Sequence, residues 1–278
     1  MKNQTNTSSY GLERTVGLFV ISMLLSTAQA NNQDLLKAAN PEVNKQYVRA
    51  EFGKFQNKPF DANDSRRKLL IIGDSQAQDF VNSAMEHQFL KDYQVRTRHI
   101  PTKCQPFLGD FAQSGIENKD RAFCESVETL SKSQKQIGNA DVLILAALWR
   151  DWSALQLPQT INNLNLAESQ KLVVLGRKSF GKISLRHYLR MSKDKRKMLR
   201  NPINEKFLTV NQQMKQGLPE VTFVDQYALI CGEGQSTCPV FTPTGELISF
   251  DGGHLTKQGA SFVGERIFTS AALAQLKE

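Results

Sequence analysis

Five short apolar runs, separated by longer amphipathic stretches, dominate the hydropathy pattern of this chain. They are Leu69–Ile72, Gln94–Ile100 (the most polar of the five, apolar only at Val95 and Ile100), Asp141–Leu148, Leu172–Leu175 and Val221–Val224. Asp141–Leu148 (D-V-L-I-L-A-A-L) is nearly continuous in its apolar character, as a strand buried on both faces must be. The segments between the runs are long enough for crossover helices, Gln78–Leu90 among them, and the chain closes on a helical pattern over Lys257–Leu276. Strand–helix alternation of this kind predicts an α/β fold, a three-layer α/β/α sandwich around a central parallel sheet of about five strands. The ordered domain is expected over residues 69–278. A polar lead-in over 31–68 precedes it, with one helical candidate at Tyr47–Phe55. Sites in such sheets form beyond the carboxyl ends of the strands, so the chemistry should follow the apolar runs directly.

The first thirty residues break the pattern. A polar stretch with Lys2 and Arg14 leads into an apolar run from Val16 to Leu25, and Ser26–Ala30 reads S-T-A-Q-A. A charged leader, a short apolar segment and an A-x-A site describe a secretory signal cleaved after Ala30. The run falls short of the roughly 20 residues of a membrane span. The alternative is an uncleaved anchor, because the leader before Val16 is long. Export places the chain in the periplasm or outside the cell, where thiols oxidise. The four cysteines, Cys104, Cys124, Cys231 and Cys238, have no C-x-x-C spacing, so a zinc site is not indicated. Three disulfide connectivities are open to them. The local pairing, Cys104–Cys124 and Cys231–Cys238, is expected because each closes a loop within one inter-element segment.

The formal charge is +8, from 35 basic and 27 acidic residues, which favours acidic surfaces without naming one. No nucleic-acid fold signature or aromatic-interleaved basic motif is present, so no nucleic-acid partner is expected. Lys182–Arg200 holds eight Lys and Arg against one acid, Asp194. A run like this is ordinarily a solvated face, and its functional alternative is a groove for an anionic glycan or a membrane surface.

Two motifs carry candidate chemistry. Leu70-Ile71-Ile72-Gly73-Asp74-Ser75 reads as a buried strand, a sharp turn and a helix start. Ser75 would then sit where helix N–H groups can stabilise an oxyanion, although Asp74 and Ser75 could equally be plain capping residues. The second motif, Phe250-Asp251-Gly252-Gly253-His254-Leu255-Thr256, stands before the last helix. Asp and His three apart on a glycine turn can bring a carboxylate to Nδ1–H and leave the other ring nitrogen as a general base. Of the four histidines only His254 has such a carboxylate; a turn held by Asp251 is the structural alternative.

Together these motifs resemble the SGNH (GDSL-like) hydrolase family, in which a G-D-S serine opens the domain and D-x-x-H closes it. The resemblance is closer to one branch, the SGNH domains fused to or partnering membrane acyltransferases that O-acetylate bacterial envelope polysaccharides. Besides Gly73-Asp74-Ser75, it rests on Cys104-Gln105-Pro106-Phe107-Leu108 with a later Cys124 and on Asp225–Cys238 (D-Q-Y-A-L-I-C-G-E-G-Q-S-T-C). It also rests on Asp251–Ala260 (D-G-G-H-L-T-K-Q-G-A). The resemblance implies an SGNH hydrolase-like, flavodoxin-like sandwich, Ser75 as nucleophile and Asp251–His254 as its acid–base pair. It implies no metal and no cofactor.

One departure stands out. The family's oxyanion asparagine belongs in a G-x-N-D block after the third strand, and Leu148-Trp149-Arg150-Asp151 stands there, with Arg150 in its place. Arg150 could donate to an oxyanion, the backbone of Ser75 and a glycine could suffice, or Trp149 and Arg150 could simply pack and pair. For the oxyanion glycine, Gly109 and Gly115 are both candidates, with Gly109 preferred. The activity this implies is O-acetyl transfer to, or removal from, an envelope polysaccharide. Its partners would be the acylated glycan or an acyl donor, and a membrane acyltransferase. The acyltransferase-linked resemblance favours transfer; the lack of a fused membrane domain in this sequence favours hydrolysis. A non-catalytic glycan-binding or assembly protein on a decayed scaffold is the reading from another class.

Overall fold

A computed structural model describes residues 32–109 and 115–276. The leader lies outside the described residues. Among those described, no helix is long and apolar enough to cross a membrane.

The apolar runs become the strands of one parallel sheet: β1 (Arg67–Gly73), β2 (Tyr93–His99), β3 (Val142–Ala146), β4 (Lys171–Leu175) and, after a short β5 (Arg200–Pro202), β6 (Thr222–Val224). Their order is β2-β1-β3-β4-β6, and every pair is parallel. Alternating residues divide between two cores, as the strand's two-residue period dictates. Leu69 and Ile71 join Val142, Ile144, Val173 and Leu175 on one face, while Leu70, Ile72, Leu143, Leu145 and Val174 fill the other.

The helices divide likewise. Residues 32–38 form α1, followed by α2 (Pro41–Phe55) and, directly after β1, α3 (Ser75–Met85). The second face carries α4 (Leu130–Ile137), α6 (Leu157–Leu164) and α7 (Glu205–Gly217), with the short α5 (Asp151–Leu155) leading into α6. The first face is covered by α2, α3 and α9 (Lys257–Phe268), with α8 (Gln226–Cys231) beside them. The last helix is shorter than its apolar pattern and gives way to a 3₁₀ turn at Ala271–Leu276.

The polar lead-in is part of this architecture. Phe52 of α2 is fully buried in the first-face core, and Asn82 of α3 donates from Nδ2 to the carbonyls of Tyr47 and Val48, each at 3.2 Å. Thr97 of β2 donates its hydroxyl to Phe52 O at 2.8 Å, and Gln56 forms a parallel bridge with Thr97. The lead-in thus covers the otherwise open edge of β2, the position where an unpaired strand invites wrong partners.

Two features lie beyond the alternation. β5 pairs antiparallel with β7 (Thr237–Pro239). The Lys182–Arg200 segment packs Tyr188 into a third small core with Leu35, Val240, Phe241 and Leu247. Most of its basic side chains are exposed, as a solvated face requires. Arg196 is the exception: it is buried, and its Nε donates to Tyr188 O at 2.9 Å. The disulfides are Cys104–Cys124 and Cys231–Cys238, the local pairing expected from spacing. Two structural disulfides mark an oxidising compartment.

Candidate active site

The strand order reverses direction between β1 and β3, and that is where a doubly wound sheet opens a crevice. β1 ends there on Gly73. A Cβ at this position would stand 1.7 Å from Ala146 O of β3, so only glycine lets the chain turn so close to its neighbour. Asp74 follows as the N-cap of α3, its Oδ1 accepting from Gln76 N at 2.9 Å. Its Oδ2 accepts from the Thr102 hydroxyl at 2.6 Å and from Leu148 N at 3.0 Å. One buried carboxylate therefore ties together the ends of β1, β2 and β3. Ser75 is the first residue of α3, where its N–H lies outside the intrahelical ladder and the helix dipole favours negative charge.

The Asp251–His254 turn is held with comparable strictness. Asp251 Oδ1 accepts from the backbone N–H groups of Gly253 (2.9 Å) and His254 (2.8 Å), and Oδ2 lies 2.6 Å from His254 Nδ1. Ser249 closes the turn, accepting from Gly252 N at 2.8 Å and donating to His254 O at 2.6 Å. Gly252 has φ +95°, and a Cβ on it would stand 2.1 Å from Gly181 O, so the turn presses directly on the loop after β4. Burial works to raise the Asp251 carboxyl, but the bonds from the imidazole and the two backbone N–H groups outweigh it and hold the pKa at about 2. The hydrogen bond to Asp251 raises His254 above the ordinary imidazole value, against the opposing effect of burial. Asp251 is thus the ionised partner that fixes the ring, and Nε2 is left to exchange a proton.

Ser75, Asp251 and His254 line one cleft of about 630 Å³, together with Asp74, His99 and one face of α2. Among the described residues no hydrogen bond joins Ser75 to His254. Gly109, Gly115 and Arg150 are not among the described residues lining this cleft. Gly109 is exposed, with φ +133°. Gly115 packs flat on Trp152, whose ring would lie 2.2 Å from an added Cβ. Arg150 directs its guanidinium toward Glu117 (3.9 Å), while its backbone N–H donates to Gln105 Oε1 at 3.0 Å. The neighbouring Trp149 is buried, donating from Nε1 to Leu175 O at 2.8 Å.

Sequence reasoning missed the support beneath the site. Lys178, at the carboxyl end of β4, is buried with Asp79 of α3, Nζ to Oδ2 at 2.7 Å. Its ammonium also donates to Gln76 Oε1 (3.0 Å) and Gly253 O (3.2 Å), and Asp79 Oδ1 accepts from Leu255 N at 3.3 Å. This pair bolts α3 to the histidine turn. The available signal was position: Lys178 follows an apolar run, where chemistry was to be sought. Among the described residues, no three His, Cys, Asp or Glu side chains converge as a metal site.

No curated protein matched the chain. Among solved structures it is similar to the periplasmic domain of the Salmonella ser. Paratyphi A lipopolysaccharide acetyltransferase. The identity is 17%, over 80% of this chain and 92% of that one, with a TM-score of 0.54, a likeness of fold. The family model described as "SGNH domain (fused to AT3 domains)" matches residues 42–268, a span that takes in α2, the Ser75 turn and the Asp251–His254 turn, and the chain belongs to that family.

Proposed function

We propose that this protein is an exported, serine-dependent acyl-ester enzyme acting on O-acetyl groups of a cell-envelope polysaccharide. The observation that carries the reading is the 2.6 Å Asp251–His254 pair opening onto the cleft that holds Ser75. His254 Nε2 takes the hydroxyl proton of Ser75 as Oγ attacks the ester carbonyl, and the Asp251 carboxylate stabilises the imidazolium formed. The tetrahedral oxyanion forms beside the N-terminus of α3, where the Ser75 N–H is available to it. Collapse expels the alcohol, which receives the proton from His254, and leaves an acetyl-serine. Water or a sugar hydroxyl then attacks that ester by the same steps in reverse. The acceptor alone separates hydrolysis from transfer, and both use the same residues.

The two disulfides and the apolar leader support an extracytoplasmic site of action, periplasmic or secreted, with the leader either cleaved or kept as an anchor. There the partners would be the acylated glycan or an acyl donor, and a membrane acyltransferase for the transfer reaction. The test is turnover of a chromogenic acetyl ester, with and without added glycan acceptor, combined with labelling by a serine-directed phosphonate. Modification of Ser75 and acetate release are expected. An inert protein that binds glycan but neither reacts nor turns over would instead be the non-catalytic assembly protein.

A further inference from the structure

One wall of the Ser75 cleft comes from outside the strand–helix alternation. Lys45, Val48, Arg49, Gly53 and the C-cap Gln56 of α2 all line it, at the three- and four-residue spacing of a single helical face. Two features of this face are unexplained by folding. The first is Gly53. Glycine weakens a helix relative to alanine, yet here it has no left-handed φ, and an added Cβ would meet nothing within 4 Å. Neither backbone nor packing requires it; its effect is to keep the wall low near His99, whose ring lies 6.4 Å from that of the adjacent Phe52. The second is charge. Lys45 and Arg49 are both exposed; Lys45 reaches only the exposed Glu42 (3.1 Å), and Arg49 has no hydrogen bond or ion pair among the described residues. Among the described residues the acids lining the cleft are Asp74 and Asp251, whose bonds are made on the side of the two motifs, the one with Thr102, Leu148 and Gln76, the other with His254. Among the described residues, neither cation of this wall is ion-paired to a carboxylate lining the cleft.

We infer that this face of α2 is the glycan subsite, in which Gly53 leaves room for a sugar ring beside Ser75 and Arg49, seconded by Lys45, binds an anionic substituent on that glycan. The inference rests on the acyl-ester reading above and adds the substrate class: a polysaccharide bearing carboxylate or phosphate groups.

Two measurements test it. The first compares matched chromogenic acetyl esters whose leaving groups carry a carboxylate, a phosphate or neither. In the wild type at low salt the anionic esters should have the higher kcat/KM, an advantage that added salt erodes. The anionic-to-neutral ratio should fall about tenfold in Arg49→Glu, the size expected for reversing one exposed charge. The carboxylate and phosphate arms then show which anion is preferred. The second is calorimetric binding of a galacturonic acid trimer and of a neutral trimer to the full protein, which needs no turnover. Binding of the acidic trimer should weaken in Arg49→Glu and in Gly53→Phe, with melting temperature held or raised in the latter. An unchanged ratio together with unchanged trimer binding overturns the subsite. So does a Gly53→Phe protein that binds normally, or one whose melting temperature falls. Arg49-dependent binding without turnover of any ester would sink the enzymatic reading and keep the subsite.

Discussion

The two sides of the cleft are built on opposite principles. On the side of Ser75 and His254, the polar groups that hold the two motifs are buried or hydrogen-bonded: Asp74 accepts three bonds, Lys178 and Asp79 are sealed together, and Asp251 holds its own turn. Facing it, α2 offers exposed cations and a glycine with empty space around it. Reacting atoms need fixed geometry, because misplacement by an ångström can cost about a hundredfold in rate. A surface for a bulky polymer needs room and charge instead. The contrast says which residues should answer to kinetics and which to stability or binding.

The largest effect should come from the proposed nucleophile. Ser75→Ala should lower turnover of an acetyl ester by several orders of magnitude, with the melting temperature held, and should abolish phosphonate labelling. Activity surviving that change would move the chemistry elsewhere in the cleft. Asp251→Asn should come next, at about 10³–10⁴ in kcat, because the imidazole loses the partner that fixes its tautomer. It also carries a pH signature. The Asp251 bond favours the charged imidazolium, so in the wild type the base becomes active only as pH rises through a value above the ordinary 6.5 of imidazole. The acid limb of kcat/KM should therefore move to lower pH in Asp251→Asn. A limb that stays in place would mean that another group sets it.

The buried pair sharpens the comparison from the stability side. Lys178→Met strands the Asp79 carboxylate in the protein interior, and about 3–5 kcal/mol of stability should be lost in denaturant melts. Pairing it with Asp79→Leu should recover much of that loss, since two apolar groups need no partner. Turnover of the double variant should stay low if the pair also aligns the histidine turn with α3. The smallest effect belongs to the opposite wall. Gly53→Ala should raise stability by about 0.5–1 kcal/mol, as expected for an exposed helical glycine with room for a methyl group. Arg150→Ala should leave turnover within about threefold, because Arg150 is not among the described residues lining the cleft, and its long, half-exposed ion pair with Glu117 should cost at most about 1 kcal/mol of stability.

The sheet and the two candidate motifs can be read along the chain alone. Strands buried on both faces cannot tolerate polar positions, so β1, β3 and β4 were legible as apolar runs with bounds shifted by a few residues. Gly73-Asp74-Ser75 and Asp251-x-x-His254 were legible because each is a local turn whose geometry is dictated by its own side chains. The local disulfides were legible for the same reason. The apolar period over Gln78–Leu90 begins three residues inside α3, since the first turn is polar and capped by Asp74; the Gly-Asp-Ser turn is what marks the helix start. Short β5 and β7, each carrying a proline, offered no period to read.

The remaining features depend on residues far apart in the chain. Lys178 and Asp79 are 99 positions apart, and neither looks exceptional until burial pairs each with the other's charge. The polar lead-in carried too little hydrophobicity to announce a core role, yet Phe52 and Thr97 bring α2 to the sheet edge, and with it Lys45, Arg49 and Gly53 to the cleft. Arg150 and Gly115 stood in plausible register with a motif, and their destinations were set by Glu117 and the Trp152 ring. Local chemistry can be read from neighbours along the chain. Charge pairing, edge covering and the wall of a cleft are decided by neighbours in space, which the order of residues does not display.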